Sequence, residues 1–374
     1  MALTEAQQFA LGKVGSRAKF LVANKTDIPK ILLIALGAAG ELVAASPFFD
    51  QLRKHFPHSE IILVVGRSSY AVVEHNPNIS RFIFADDHDL FSGGWVRGSL
   101  EFFRLIGKLR TEDFDLTFAL ERGMVFRWLV CLAGIPVRVG FGRRSLFLTH
   151  PVLDHQTQTE SESYLDLLRK IDIPAVFNKT HYYLTNEEKD FKDLFLERHN
   201  IANKERVIGL APGGEACAAR RKIIASQWPV RSYIELIQKI QSDGSSRIIL
   251  VGGTRDRGIK DRILEACKGC LDATDLSLGD MASVLRRCNL FVGNDHARNS
   301  IAVAIGVPGD RVFNPTASRP STLYNKSNEV SAASEETNID IEEKLSKSSD
   351  SELPVEVSVD AVWQYLKTID GYYK

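Results

Sequence analysis

Short apolar runs alternate with longer amphipathic segments twice along this chain, and this alternation constrains the fold more than any other feature. In the first half, the runs "KILLIAL", "EIILVVG", "FDLTFAL" and "VRVGF" predict strands with helices between them. After a break, "RVIGLAP", "RIILVGG" and "NLFVGN" repeat the pattern. Buried strands that alternate with helices are typical of parallel, doubly wound sheets. The sequence therefore predicts an α/β protein with two Rossmann-like doubly wound domains.

Changes of composition divide the chain into five predicted parts. They are a basic amphipathic leader at 1–29, a first domain at 30–180, a second at 200–325, a polar flexible segment at 326–353 and a helix at 354–374. The stretch 174–205 predicts a break between the domains. The polar segment is rich in Ser, Glu and Asp, so it cannot bury enough apolar surface to order firmly. The last helix regains apolar spacing, and something must cover that face.

The charge balance excludes one large class of partners. The chain has 47 basic and 47 acidic side chains and a formal net charge of zero. Bulk composition therefore gives no support to a nucleic-acid-binding protein. The cysteines are scattered and odd in number, which argues against a disulfide framework and favours a reducing compartment.

No stretch of the sequence has the length and apolar character of a signal peptide core or a spanning helix. We therefore expect a cytoplasmic protein. The leader sets Lys and Arg among apolar side chains, a composition that suits contact with the inner face of the cytoplasmic membrane. A surface helix packed on the body explains the same pattern equally well.

Three loops follow predicted strands at their carboxyl ends, where open α/β sheets bind ligands. The first contains Gly37, Gly40 and Glu41. Small residues let the backbone approach a ligand, and the free N–H groups of the following helix attract anions. This loop lacks the first glycine of a dinucleotide fingerprint. Glu41 is its one carboxylate, and stabilising the helix dipole is an ordinary role for such a residue.

The second loop joins Gly213 and Gly214 to a basic run that includes Lys222. Glycine N–H groups and cations share the negative charge of a diphosphate, although basic loops are also ordinary solvated surface. The third loop follows Gly293 and puts Asp295 at a predicted helix start. Asp295 is either the N-cap of that helix or an acceptor of hydrogen bonds from sugar hydroxyls.

Taken in order, these segments resemble one family. "KILLIALGAAGELVAASPFFDQLRKHFP" is similar to the G-D-x-x-x-x-x-P-x-x-x-x-L-R opening of glycosyltransferase family 9, the lipopolysaccharide heptosyltransferases. "LAPGG…QWPVRSYIELIQKI" resembles its P-G-(A/G)…W-P segment, and "ILVGGTRD" its G-G-x-x-(D/E) turn. "DLSLGDMASVLRRCNLFVGNDHARNSIAVAIGVP" resembles its T-S-L-x-E-L…N-D-(S/T)-G-P-x-H stretch. The likeness spans about residues 30–325.

The resemblance implies the two-domain glycosyltransferase B fold. In that fold the C-terminal domain holds a nucleotide-sugar donor, and the N-terminal domain holds the acceptor. The family requires no metal, and no cofactor is implied beyond the donor substrate. The resemblance also implies that the last helix crosses back to the N-terminal domain and so covers its own apolar face.

The resemblance also assigns roles to residues. The family's base is the Asp of G-D, which takes a proton from the acceptor hydroxyl while the anomeric carbon inverts; here that position is Glu41. Its extra methylene moves the carboxylate by about one C–C bond, and a misplacement of about 1 Å costs on the order of a hundredfold in rate. The donor-side residues that match the family are Gly213, Gly214, Asp256, Leu276, Ser277 and Asp295.

The chain departs from the family pattern around the donor. After Asp295, the S/T-G-P-x-H motif is replaced by His296, Ala297, Arg298, Asn299 and Ser300. Ala297 still presents an N–H group, and His296 or Arg298 replaces the lost histidine as a cation for phosphate. The basic residue before W-P is also missing, although Lys222 and two arginines lie upstream. We expect an altered donor site rather than an absent one.

Basic and apolar residues occur together in the predicted acceptor domain. "GGWVRGSLEFFRLIGKLR" contains Arg97, and "GFGRRSLFLTH" contains Arg143 and Arg144. With Gly40, these residues suit a phosphorylated or lipid-linked saccharide acceptor near a membrane. A solvated basic face explains them equally well.

The sequence thus favours an inverting, metal-independent glycosyltransferase that adds a sugar, heptose by resemblance, to a cell-envelope glycan with Glu41 as base. One rival is a nucleotide-sugar epimerase of the same architecture, which needs a second catalytic acid that the sequence does not identify. The other rival is a substituted family member that serves as a binding or assembly subunit. Glu41, Ala297 and Ser300 favour this second rival.

Overall fold

The computed structural model describes nine ranges of the chain. They are 28–143, 147–155, 157–213, 228–244, 246–253, 256–293, 296–307, 309–311 and 358–372. The chain divides into two compact units, with the main boundary between Tyr183 and Leu184. The predicted polar segment 326–353 and the leader up to residue 27 lie outside the described residues.

The first unit is built on a parallel sheet with the strand order β3-β2-β1-β4-β5-β6. The strands are β1 (Ile31–Ile34), β2 (Ile61–Gly66), β3 (Arg81–Ala85), β4 (Leu116–Ala119), β5 (Val137–Phe141) and β6 (His150–Val152). The helices are α1 (Ala39–Ala44), α2 (Ser46–His55), α3 (Asp87–Ser92), α4 (Gly94–Arg110), α5 (Met124–Leu132) and α6 (Glu160–Arg169). In the register of the sheet, Ile31 lies beside both Ile61 and Leu116.

The central strands of this sheet are buried on both faces, which explains their continuous apolar sequences. Alternate residues of β1 point to opposite sides. Ile31 and Leu33 pack with α1, α2 and α6, whereas Leu32 and Ile34 pack with α4 and α5. Each such side chain contributes about 1.5–3 kcal/mol by leaving water. The sheet and its two helix layers thus form one rigid support for the loops at the strand ends.

The second unit repeats this design with the strand order β11-β10-β7-β8-β9, again all parallel. The strands are β7 (Val207–Ala211), β8 (Arg247–Val251), β9 (Leu271–Ala273), β10 (Leu290–Gly293) and β11 (Gly309–Arg311). The helices are α7 (Asn186–Arg198), α8 (Val230–Ser242), α9 (Arg257–Ala266), α10 (Leu278–Leu285), α11 (His296–Ala304) and α12 (Val359–Tyr372).

Helix α7 lies inside the stretch 174–205, where the sequence predicted only a break. A capping box starts it: the Glu188 N–H donates to Thr185 Oγ1 at 3.1 Å, and the Thr185 N–H donates to Glu188 Oε2 at 2.7 Å. The segment is mostly charged, so its apolar periodicity is weak. The T-x-x-E spacing was the local signal for a helix start.

The apolar face of α12 is covered within the second unit, which corrects the expectation that the first domain covers it. Val362 and Leu366 are buried in the core that contains Tyr233 and Leu236 of α8. Lys239 of α8 donates to Asp360 Oδ1 at 2.9 Å at the start of α12. The spacing of the apolar residues predicted a buried face, but spacing does not identify the surface that buries it.

Truncation of Leu366 should therefore destabilise the second unit. Leu366→Ala removes buried apolar volume and should lower the free energy of unfolding by about 2–5 kcal/mol, measured by urea denaturation followed by circular dichroism. Gln364→Ala, at an exposed position of the same helix, is the control and should change it by less than about 0.5 kcal/mol. Equal midpoints for the two variants would contradict this packing of α12.

Candidate active site

The strand order of each sheet creates a switch point. There, the chain continues from two neighbouring strands in opposite directions along the sheet. In the first unit it lies between β1 and β4, and in the second unit between β7 and β10. Open α/β sheets leave a crevice at the carboxyl ends of such strands. Glu41 follows β1, and Gly213 follows β7. The structure thus puts a predicted site residue of each unit beside its own crevice.

The Glu41 side chain folds back over Gly37. Glu41 lies in the first turn of α1, a helix whose N-cap residue, Ala38, makes no side-chain capping bond. A Cβ atom added to Gly37 would stand only 1.9 Å from Glu41 Oε2. The carboxylate therefore occupies space that exists only because residue 37 is glycine. Gly40, in the same turn, is buried.

Glu121 is a second carboxylate at this switch point, and it was not predicted from the sequence. It follows β4, and its Oε1 accepts a hydrogen bond of 2.6 Å from the Leu36 N–H. The same oxygen lies 3.3 Å from the position of an added Cβ on Gly37. Burial, and then the charge of Glu41, raise the pKa of Glu121 to about 7. The structure thus assembles a pair of acids around Gly37.

Arg122, the residue after Glu121, is held by two other acids. Its Nε donates to Asp154 Oδ2 at 2.9 Å, and its second amino group donates to Glu160 Oε2 at 2.7 Å. The guanidinium also lies over the ring of Phe141, 4.7 Å from its centroid. Because its charge is shared with these two carboxylates, Arg122 compensates the acid pair only in part.

Tyr164 of α6 lies near this cluster, with its ring centroid 5.8 Å from the Arg122 guanidinium. Its side chain is buried, and its pKa lies well above the ordinary value because of burial and then the negative charge of Glu41. The hydroxyl therefore stays protonated through the neutral range.

In the second unit, Asp256 lies directly against Gly213. A Cβ atom added to Gly213 would stand 2.1 Å from Asp256 Oδ1. Asp256 Oδ2 accepts a 2.8 Å hydrogen bond from the Gly253 N–H and lies 3.7 Å from an amino group of Arg298. Asp256 and Arg298 are both buried. Three predicted donor residues, which follow three different strands, therefore lie together beside this switch point.

Helix α11 is attached to the end of β10 by a side chain. Asn299 Nδ2 donates to the Gly293 carbonyl at 2.9 Å. Ser300, where the family pattern has histidine, is fully buried, whereas Ala297 is partly exposed in the first turn. Of the motif residues whose burial the structure describes, Ala297 is thus partly exposed, whereas Arg298, Asn299 and Ser300 are buried.

Two other predicted donor residues follow β9, next to β8. Leu276 is partly exposed, and Ser277 is the N-cap of α10, where its Oγ accepts a hydrogen bond of 3.1 Å from the Asp280 N–H. The remaining site residues lie outside the described residues: Gly214, Lys222, Asp295, Arg144 and the side chain of His296.

The predicted acceptor arginines are exposed at two positions of the first unit. Arg97 is in the first turn of α4, and Arg143 follows β5 at the carboxyl edge of the sheet. Arg104 of the same basic segment instead pairs with the buried Glu101. The cations of α4 that do not pair with Glu101 are therefore Arg97, Lys108 and Arg110.

The outer surfaces of α4 and α5 expose large apolar side chains, which we call the α4–α5 face. Trp95 is 88 % exposed and Phe103 66 % exposed. The other members are Val96, Leu100, Met124, Val125, Trp128 and Leu132. Exposed apolar groups at this density are typical of interaction surfaces. Of the helices in the described ranges, none combines the length and apolar character needed to cross a bilayer.

One group of metal-ligand side chains stands out among the described residues. Asp86, His88 and Asp89 bring candidate ligand atoms within 4.8 Å of one another. The Asp86 carboxylate already accepts the Asp89 N–H at 2.9 Å as the N-cap of α3. The cluster thus has a structural function in starting this helix, and it carries no metal assignment.

The sequence model of glycosyltransferase family 9 (heptosyltransferase) matches residues 102–349, about two thirds of the chain. The chain belongs to glycosyltransferase family 9. Its predicted activity as a glycosyltransferase is thereby confirmed. The matched stretch covers Glu121 and the whole donor side, but it begins after Gly40 and Glu41.

Curated relatives of this family 9 glycosyltransferase are distant but cover most of its length. Lipooligosaccharide heptosyltransferase 2 of Haemophilus influenzae is 22 % identical over 305 residues, which cover 77 % of this chain and 84 % of the relative. Lipopolysaccharide heptosyltransferase 3 of Escherichia coli is 20 % identical over 290 residues, covering 74 % and 81 %.

Solved structures confirm the predicted glycosyltransferase B fold. A family 9 glycosyl transferase from Veillonella parvula superposes with a TM-score of 0.72 at 18 % identity, covering 93 % of this chain and 98 % of that one. The Escherichia coli heptosyltransferase WaaC with ADP-2-deoxy-2-fluoro heptose gives 0.66 at 17 % identity, covering 91 % and 99 %.

The contact between Gly213 and Asp256 should make residue 213 intolerant of any side chain. Gly213→Ala forces the Asp256 carboxylate to move and should lower the free energy of unfolding by about 1–3 kcal/mol. Gly258→Ala is the matched control, since an added Cβ there meets open space within α9 and should raise stability by up to about 1 kcal/mol. Urea denaturation of both variants checks this, and equal effects would refute the contact.

Proposed function

We propose that this glycosyltransferase moves a heptose from an ADP-linked donor to a saccharide of the lipopolysaccharide core, with inversion at the anomeric carbon. Family membership and the names of the relatives support the sugar and the acceptor class. The single observation that carries the mechanism is the carboxylate of Glu41, held at the β1/β4 switch point above Gly37.

In the proposed reaction, Glu41 takes the proton of an acceptor hydroxyl while that oxygen attacks the anomeric carbon. The bond from the anomeric carbon to the diphosphate oxygen breaks with its electron pair, and the nucleoside diphosphate leaves as an anion. The proton on Glu41 later returns to solvent. A general base of this kind contributes about 10²–10⁴-fold to the rate.

The fold-back over Gly37 explains how a glutamate serves where the family has aspartate. A longer side chain that extended straight from α1 would carry its oxygens about one C–C bond too far. Here the extra methylene is absorbed in the bend over residue 37, where no Cβ is present. The carboxylate thus stays close to the sheet edge.

We propose that the β7/β10 crevice of the second unit holds the donor diphosphate. Backbone N–H groups at Gly213, Gly214 and Ala297 would share its charge with Lys222. Asp256 lies against Gly213 and Arg298 lies beside Asp256, and both belong to the proposed donor set. Leu276, Ser277 and Asp295 complete the proposed donor set, with His296 at the start of α11.

Calorimetry with ADP-sugars and UDP-sugars tests the donor assignment, and Glu41→Gln tests the base. We expect the ADP-sugar to bind, and Glu41→Gln to keep that affinity while transfer falls by about a hundredfold or more. Glu60→Gln, at a surface ion pair of the same unit, is the control and should transfer normally. Unchanged turnover in Glu41→Gln would refute the base, and no binding of either donor would refute the donor site.

Glu121 also supplies the second carboxylate that the epimerase hypothesis lacked. Family membership favours transfer over epimerisation, and a donor-only incubation separates them directly. We expect the sugar of the donor to keep its configuration by NMR in the absence of acceptor. Appearance of an epimer without acceptor would favour the rival.

We further propose that the α4–α5 face rests on an anionic membrane at the inner face of the cytoplasmic membrane, where a lipid-linked acceptor is presented. Trp95 and Phe103 offer apolar area for the interface, and Arg97, Lys108 and Arg110 offer charge for anionic headgroups. Apolar side chains next to cationic side chains are complementary to the acyl chains and anionic headgroups of such a membrane.

Flotation with phosphatidylcholine vesicles, with and without phosphatidylglycerol, tests this surface. We expect binding only to the anionic vesicles, and a loss of about tenfold in the double variant Trp95→Ser, Phe103→Ser, because 1.4 kcal/mol changes an equilibrium tenfold. Leu194→Ser, at an exposed leucine of the second unit, is the control. Full binding by the double variant would contradict this face and assign the contact to the basic leader.

A further inference from the structure

Two carboxylates converge on one small residue in the first unit. Glu41 reaches Gly37 from α1, and Glu121 reaches it from the end of β4. Glu41 Oε2 and Glu121 Oε1 lie 1.9 Å and 3.3 Å from the same point, the position of an added Cβ. Like charges this close do not ionise independently, since each negative charge disfavours the other.

The groups around the pair set its charge balance. Besides Glu41, Glu121 faces the backbone N–H groups of Leu36 and Gly37, which favour its ionised form. Arg122 also favours it, but this arginine already bridges Asp154 and Glu160. From α6, the buried Tyr164 adds a neutral hydroxyl. Burial and mutual repulsion therefore outweigh the favourable groups, in keeping with the raised pKa of Glu121.

We propose that Glu121 is a positioning residue that acts through Glu41: the two carboxylates bind one proton jointly, and Glu41 receives the hydroxyl proton with Glu121 beside it. This rests on the proposed function for the identity of the reaction, but not for the pairing itself. Glu121 also fixes the loop on which Glu41 depends, because it holds the Leu36 N–H at 2.6 Å.

The pairing makes the base stronger than a lone glutamate. A general base works best when its pKa lies near the working pH, and an unperturbed glutamate, at about 4.3, lies far below neutrality. A pair that shares a proton near neutrality removes most of that mismatch. In the step itself, the hydroxyl proton joins the ionised pair as the sugar bond forms and the nucleoside diphosphate leaves. The pair then gives this proton to solvent.

A titration without substrate tests the pairing directly. In protein carrying glutamate labelled with ¹³C at the carboxyl carbon, we expect one resonance that titrates near pH 7, the value at which the pKa of Glu121 lies. Glu121→Gln should abolish it, and Glu41→Gln should move it down by about one pH unit because one negative charge is removed. Glu60→Gln should leave it unchanged. The pairing would be overturned if Glu41→Gln left the titration midpoint of this resonance unchanged, or if no carboxyl resonance titrated near neutrality.

The pH profile of kcat/KM then tests the catalytic consequence. We expect the acidic limb of the parent enzyme near pH 7 and a shift of about one to two pH units towards acid in Glu121→Gln, with a lower plateau. A merely structural Glu121 would lower the rate at every pH without moving the limb, and that result would overturn the proposal. Far-UV circular dichroism checks that Glu121→Gln is folded, and Glu60→Gln controls for the loss of one carboxylate.

If no donor supports transfer, the proposed function fails while the titration still decides the pairing. If transfer occurs and the carboxyl resonance does not titrate near neutrality, the pairing fails alone. A second position provides a further check. Gly37→Ala displaces the Glu41 carboxylate and should move the titrating resonance as Glu41→Gln does.

Discussion

The pairing of β1 with β4 is the contact on which the acid site depends. These strands are more than eighty residues apart in sequence, yet Ile31 lies beside Leu116 in the sheet. Their carboxyl ends therefore open side by side, and each delivers one glutamate to Gly37. The same relation between β7 and β10 brings Gly213 and α11 together in the second unit. In both units, the site is a consequence of sheet order.

Within the acid site, two opposing effects are balanced. Backbone N–H groups favour the ionised form of Glu121, whereas burial and the negative charge of the nearby Glu41 disfavour it. Water would screen this repulsion at an exposed site, but a half-buried loop screens it much less. The consequence is a carboxyl group with a pKa displaced towards neutrality. Functional sites commonly contain acids displaced in this way, because proton transfer at neutral pH requires them.

Most strands that carry an apolar run were predicted from the sequence, with β3 (Arg81–Ala85) the exception, and the strands without such a run were missed. β1, β2 and β4 are continuous apolar strands and were predicted, whereas β6, β9 and β11 are three-residue edge strands without an apolar run. Glu41 was identified because it follows a glycine loop in a family-like motif. Glu121 was missed because it lies near Glu41 only through the pairing of β4 with β1. The local spacing of residues does not predict which distant strands pair. The predicted packing of α12 against the first domain was wrong for the same reason.

Within the described ranges, the groups that affect the pKa values of Glu121 and Tyr164 come from the first unit. In the proposed reaction, residues of the first unit take up the proton, whereas loops of the second unit bind the nucleotide. The exchange of the family's glycine for Ala297, in the segment after β10, changes none of the residues that we propose for proton transfer. Under the proposed function, such a division would let the choice of activated sugar change in evolution while the residues that act on the attacking hydroxyl stay the same.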